Sequence, residues 1–403
     1  MTDEALTQKV QSLSDISLAI LLSLINREHC ILSTPAPDHE DLITELQLTS
    51  EKTFGLSSTI LTCTSETTLP DFVTGIQLPA APSSRTPSPL QTRGPDSYFG
   101  PRPTIAAAGR NISTSSISQA QPKTQIPNVV IAKNLDLAPK AVQIQCLELM
   151  RTRRIFTRTS VQPCPKQFLL IACLASESAG RARLTKHLND RFCISHWCDP
   201  EDGFPNLDEQ EEEEEYDLYD DGDSIKSTDS VVRRRSSVRK TPTLTPTMPS
   251  RSPGLPLPRS PLPDISANPA PGPLFTETDL STLSTLSSQT HVSVAVLRYL
   301  QNILSFLRMH RAVVPGSVSP TATPHFRSLV SSLAALHGLP YATPEMVQLA
   351  VRKVYTHRLE ITAPERERSM QWGSDLSAVK ELLEGVEPED VIEDVLGLVD
   401  VPL

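Results

Sequence analysis

The chain has 403 residues with 47 acidic and 37 basic side chains, a formal net charge of −10. That acidic balance argues against nucleic acid as the main partner. Proline (36) outnumbers glycine (15) and aromatic residues make up only 4%. The length allows two or three domains and a sizeable core, but part of the chain is expected never to pack.

Cysteine usage points to a compartment. The seven cysteines (Cys30, Cys63, Cys146, Cys164, Cys173, Cys193, Cys198) are odd in number, and several fall in predicted buried strands. Free thiols in a reducing setting, cytoplasm and/or nucleus, are the simple reading. No signal-peptide pattern opens the chain. Its longest apolar run, Leu18 to Ile25, is far short of the ~20 residues a membrane span needs. A soluble intracellular protein is expected.

In chain order, Ser14 to Glu28 reads as an apolar helix carrying Ile16, Ala19, Ile20 and Leu24. A first strand follows at Cys30-Ile31-Leu32-Ser33, a helix at Asp41 to Leu48 and a second strand at Ser58 to Cys63. Val129-Val130-Ile131-Ala132 is too short for a buried helix and rich in β-branched residues, which predicts a strand buried on both faces of a parallel sheet. Pro139 suits a helix's first turn, and Val142, Cys146, Leu147 and Met150 recur at helical spacing after it. A basic ribbon, Ile155 to Thr159, and another buried strand, Phe168 to Leu174, complete an α/β sandwich.

Two stretches look unfolded. Residues 79–127 are rich in Ser, Thr and Pro. Within 205–276, Asp208 to Asp223 holds eleven acidic residues in sixteen, a density at which like charges repel and stay solvated. The block Arg233-Arg234-Arg235-Ser236-Ser237-Val238-Arg239-Lys240 follows, then eleven prolines between Thr241 and Pro273. A nuclear-import signal, a basophilic kinase site at Ser236 or Ser237, and a counter-charge to the acidic run remain equal readings of that block.

Order returns at Val292. Val296, Leu300, Ile303, Leu304 and Leu307 form one helical stripe. Thr323-Pro324 and Thr343-Pro344 each offer an N-cap with Pro at the first helical position. Phe326, Leu329, Val330 and Leu333 then face inward on one helix, closed by Gly338, and Met346, Val347, Ala350, Val351 and Val354 on the next. Arg308, His310, Arg311, Arg352, Lys353, His357 and Arg358 make this bundle basic, either as a solvated face or as a docking surface for an adjacent core. Ser374 to Gly385 and Glu389 to Val399 read as acidic amphipathic helices that cover the bundle or bind a partner.

The strand at Val129, the Ala138-Pro139 helix start, the ribbon and the second strand follow an order that resembles the Walker B and sensor-1 region of AAA+ ATPases. Leu188-Asn189-Asp190-Arg191-Phe192 is similar to the arginine-finger segment of the magnesium-chelatase (subunit I)/MoxR clade. Phe306-Leu307-Arg308-Met309-His310-Arg311, Val318-Ser319-Pro320 and Tyr341-Ala342-Thr343-Pro344-Glu345 resemble its helical lid. The likeness covers roughly residues 1–78, 128–204 and 290–360. It implies an AAA+-like, P-loop-type parallel sheet with helices on both faces, plus a small all-α lid. The implied organisation is a core at 1–78 and 128–204, inserts at 79–127 and 205–276, a lid at 277–363 and an acidic tail at 364–403.

The family's catalytic residues do not carry over. A phosphate loop needs glycines whose N–H groups turn inward, then Lys and Ser/Thr. Here the first glycine is Gly55, no glycine precedes a lysine, and the loop reads Thr34-Pro35-Ala36-Pro37-Asp38-His39-Glu40-Asp41. By the resemblance, Glu40 and Asp41 take the Lys and Ser/Thr positions. Lys133 and Asn134 take the Walker B Asp-Glu, with Asp136 out of register. Ala175 takes sensor 1 (Ser176 with a one-residue slip), and Thr321 takes sensor 2. Arg191 survives as an arginine finger acting in trans, weighed evenly against a structural arginine paired with Asp190 or Asp199. Cys193, His196 and Cys198 lack the tight cysteine pair and fourth ligand of a zinc site, so they are read as strand residues and no metal is expected.

Three readings result. The favoured one is a pseudo-ATPase that serves as an assembly or regulatory module, partnered with AAA+ subunits or itself. The others are an active magnesium-chelatase-type ATPase subunit, which alone would need ATP and Mg²⁺, and a phosphorylation-regulated scaffold.

Overall fold

Five strands form a parallel sheet: β1 (Cys30–Thr34), β2 (Ser58–Thr62), β3 (Val129–Lys133), β4 (Leu169–Ala175) and β5 (Ile194–Trp197), in spatial order β2-β3-β4-β1-β5. The computed structural model describes residues 2–79, 124–156, 161–176, 184–210 and 272–402. Ser236, Ser237 and most of both inserts lie outside them.

The apolar runs bury both faces of the sheet, as parallel strands do when helices cover each side. On β3, Val129 and Ile131 join one core while Val130 and Ala132 join the other; on β4, Leu169, Ile171 and Cys173 alternate with Leu170, Ala172 and Leu174. The first core packs α2 (Asp15–Asn26) and α3 (His39–Leu48), and the second packs α4 (Leu69–Gly75) and α5 (Lys140–Thr152). The basic ribbon is a small hairpin in which Arg154–Phe156 pairs antiparallel with Val161–Pro163. Short α6 (Lys186–Asn189) leads into β5.

After the second insert come α7 (Glu277–Gln289), α8 (Val294–Met309), α9 (Ala322–Leu336) and α10 (Pro344–Tyr355), then α11 (Leu376–Leu383) and α12 (Pro388–Leu398). Core and lid form one unit, Met1–Leu207 with Pro273–Leu403. The first core runs without a break from the sheet into Leu300, Phe326, Val347 and Val391. This continuity makes the lid part of the hydrophobic interior.

Helix α9 starts two residues earlier than Thr323-Pro324 suggests. The Ser319 hydroxyl accepts the Ala322 N–H at 3.3 Å, and Pro324 falls in the first turn, where its missing N–H leaves no bond unmade. Helices α1 (Thr2–Gln11), α4 and α7 were not foreseen. Two of these start at reciprocal capping boxes, Thr68 with Asp71 and Thr276 with Asp279, a signal that was present in the sequence. The tail helix α12 lies on the lid, burying Val391, Ile392 and Val395 against α8 and α10.

Candidate functional site

The strand register gathers one set of predicted residues at the carboxyl edge of the sheet. Thr34 stands beside Ala175 and Lys133 beside Cys173, so the ends of β1, β3 and β4 are level. Four residues, Pro35 to Asp38, connect β1 to α3. Two are prolines without an N–H, and the Asp38 N–H already donates to the Pro35 carbonyl at 3.3 Å. The first turn of α3 carries Glu40 and Asp41 behind Asp38. These carboxylates occupy the positive end of the helix dipole, where a phosphate would otherwise be drawn.

Across from that turn, the Lys133 ammonium donates to Glu40 in a direct ion pair. This bond holds the Glu40 carboxyl below its ordinary range. A carboxylate at the start of α3 thus faces an ammonium at the end of β3. They neutralise each other. Asn134 turns the chain in a left-handed conformation (φ 53°), its N–H bonded to the Cys173 carbonyl at 2.9 Å. Ala175 offers no side-chain donor to that edge.

The other two predicted residues, Arg191 and Thr321, meet at the opposite, amino-terminal edge. They line one cleft of about 690 Å³ with Ile144, Glu148, Arg151, His187 and His325. Arg191 pairs with neither Asp190 nor Asp199. Its partner is Glu28, just before β1, with Nη2 3.5 Å from a carboxylate oxygen, while its Nε makes no hydrogen bond. Burial raises the Glu28 pKa, an effect opposed by Arg191, Arg153 and Arg358.

Asp190 is taken by the lid instead. The Ser319 and Thr321 hydroxyls both donate to its carboxylate, and Arg358 Nε approaches Oδ1 at 3.3 Å. Burial pushes the Asp190 pKa up, but these donors outweigh it and leave the group below its usual range. Arg358, its side chain only 1% exposed, also donates to the carbonyls of Val354, Asp190 and Phe192 and to His325 Nδ1 at 3.0 Å. Asn189 Nδ2 donates to the His357 carbonyl at 2.6 Å, and His357 Nε2 donates to the Phe192 carbonyl at 3.1 Å. Asn189, Asp190 and Phe192 are therefore bonded into the lid of their own chain, while the Arg191 side chain turns to Glu28.

That arrangement corrects the solvated-face reading for His357, Arg358 and Lys353, whereas Arg308 and Arg311 are exposed. His357 and Arg358 are buried. Arg352 makes a two-pronged pair with Glu393 of the tail at 2.6 and 2.9 Å, and Lys353 bonds to His196 of β5 at 2.7 Å. Sequence reasoning missed Glu28, His325 and the role of Arg358. His325 and Arg358 each stand next to an apolar residue, Phe326 and Leu359, while Glu28 lies between Arg27 and His29; none of the three can be interpreted without its tertiary partners. Cys193 and Cys198 are buried at either end of β5, and burial raises both thiols to about 12.

No family model and no curated protein matches the chain. Among solved structures, the chain is similar to the crystal structure of a candidate ATPase from Cytophaga hutchinsonii, with TM-score 0.59 and 12% sequence identity. The superposition covers 100% of this chain and 97% of that one. Together with the β2-β3-β4-β1-β5 parallel sheet and the helical lid, this gives the chain an AAA+ ATPase-like fold.

Proposed function

We propose that the protein is an AAA+-type module of magnesium-chelatase/MoxR character that has lost ATP hydrolysis and works in assembly or regulation. The observation that carries this is the reversed pair Glu40–Lys133. Hydrolysis by this architecture needs positive charge on the phosphates and a carboxylate for Mg²⁺; here both signs are inverted and satisfied internally. The proline loop supplies no cradle of N–H groups, and Asp38, Glu40 and Asp41 repel a polyphosphate.

Arg191, half-exposed in its cleft and held by a single ion pair, is free to act on a neighbouring subunit's nucleotide. Its partners would then be ATP-loaded AAA+ subunits. Calorimetric titration of the full chain with ATP and ADP, with and without Mg²⁺, should show no heat up to millimolar nucleotide. Micromolar, Mg²⁺-dependent binding would overturn the reading and restore the active-subunit alternative. A mixed assay with a candidate ATPase partner tests the arginine: Arg191→Ala should lower the partner's turnover while leaving this chain's own lack of binding unchanged.

A further inference from the structure

We propose that the cleft between the α1–α2 corner and lid helices α9 and α10 binds an aliphatic carboxylate, a medium-chain fatty acid by class. The cleft encloses about 470 Å³, within the roughly 300–1,000 Å³ of small-molecule sites. Its walls are aliphatic: Leu18 and Leu22 from α2, Ile194 from β5, Leu329 and Leu333 from α9, and Leu349 from α10. Among the described residues no Phe, Tyr or Trp lines it, its only rings being the imidazoles of His196 and His337, so it offers little platform for stacking a flat ring. A flexible hydrocarbon chain matches this lining better than a nucleobase.

The polar groups of the cleft select the head group. Lys353 projects from α10 into the wall, and its hydrogen-bond partner is His196 Nδ1 at 2.7 Å. Burial, then the neighbouring ammonium, holds the His196 imidazole down to about 4. At neutral pH the ring is therefore uncharged and accepts from Lys353 without balancing its charge. Burial lowers the Lys353 pKa, and Asp15, which lines the same cleft, and Glu389 oppose that through space, yet neither forms an ion pair with Lys353 among the described residues. Asp15 sits in the first turn of α2, where the helix's own positive end offsets it. A half-buried ammonium with no ion-paired carboxylate among the described residues, in the wall of a largely aliphatic cleft, is complementary to one carboxylate and its chain.

This inference is independent of the nucleotide-free reading and can fail separately. The test is calorimetric titration of the full chain with sodium decanoate below its micelle concentration, with decanol and adenosine run alongside. Decanoate should bind saturably at one per chain, and decanol about tenfold more weakly because it lacks the charge read by Lys353. Lys353→Gln should weaken decanoate by a similar factor, and Leu333→Trp, which fills the slot, should abolish binding; melting curves check that both variants are folded. Equal affinity for decanoate and decanol in the unaltered protein would overturn the proposal, as would undiminished binding by Lys353→Gln. Adenosine binding without decanoate binding would overturn this inference and also weaken the nucleotide-free reading. Absence of both would remove only the fatty-acid site.

Discussion

Individual side chains contribute very unequally to this molecule. Glu40 and Lys133 form an ion pair in which Glu40 is 71% exposed, so its worth to stability is small, at most about 1 kcal/mol. Its importance is to the proposed function, since the pair sets an acid and a lysine against each other at the carboxyl edge of the sheet. Arg358 is the opposite case. Its guanidinium is buried and its donors are spread over Asp190, Phe192, Val354 and His325. Replacing it with Met leaves the half-buried Asp190 short of a cation, and removing one member of a buried pair costs about 3–5 kcal/mol. Urea denaturation of Arg358→Met should show a loss of this size; a loss under about 1 kcal/mol would mean that the lid is held by its apolar packing alone. Arg358→Lys should be damaged almost as much, since a single ammonium cannot reproduce the planar fork.

At the scale of elements, the lid is stabilised from two sides. Helices α8 and α10 share the apolar interior of the core on one side and are covered by α12 on the other. Each fully buried Val or Ile contributes roughly 1.5–3 kcal/mol, and α12 buries Val391, Ile392 and Val395. A chain ending at Gly385 should therefore lose several kcal/mol, lower its melting temperature and bind a hydrophobic dye through the uncovered α10. Unchanged melting and no dye binding would show that α12 is an ornament of the lid. The capping boxes at α4 and α7 were readable as local patterns, since an N-cap Thr and an Asp three residues on need no distant partner. The start of α9 was not readable, because Ser319 and Thr321 are drawn back by Asp190, more than a hundred residues away in the chain.

Over the whole molecule, five buried histidines (His29, His39, His196, His325 and His357) make folding sensitive to acid, and burial lowers the pKa of His39 as it does the others. Burial lowers His196 and His325 to about 4, and His29 and His357 well below the ordinary 6.5. Above pH 6.5 neither folded nor unfolded chain is protonated there, and nothing is lost. Between about 6.5 and 4 the unfolded chain takes up protons that the folded chain refuses. Stability therefore falls as pH falls through this window, by up to roughly 3 kcal/mol for each of His196 and His325. The depressed Asp190 adds a further loss below its ordinary value of 3.8. Equilibrium unfolding at several pH values from 7.5 to 4 should show this decline. A flat profile would mean that these rings reach water in solution.

What the sequence determined by itself was a parallel α/β core and a β1–α3 loop without glycine. Unbroken β-branched runs such as Val129 to Ala132 can be buried only between two helical layers; the AAA+-like topology with a lid was implied by the resemblance alone, and the strand order β2-β3-β4-β1-β5 came from the structure. The absent glycines and the prolines at 35 and 37 were equally plain, because a missing N–H or a forbidden turn is a property of the residue. The tertiary structure decided which charges meet. Glu40 is 93 residues from Lys133, Asp190 is 168 residues from Arg358, and Arg191 turned to Glu28 rather than to either nearby aspartate. Coulomb energy depends on distance and burial in the folded chain, and neither is encoded in the spacing of the residues along it.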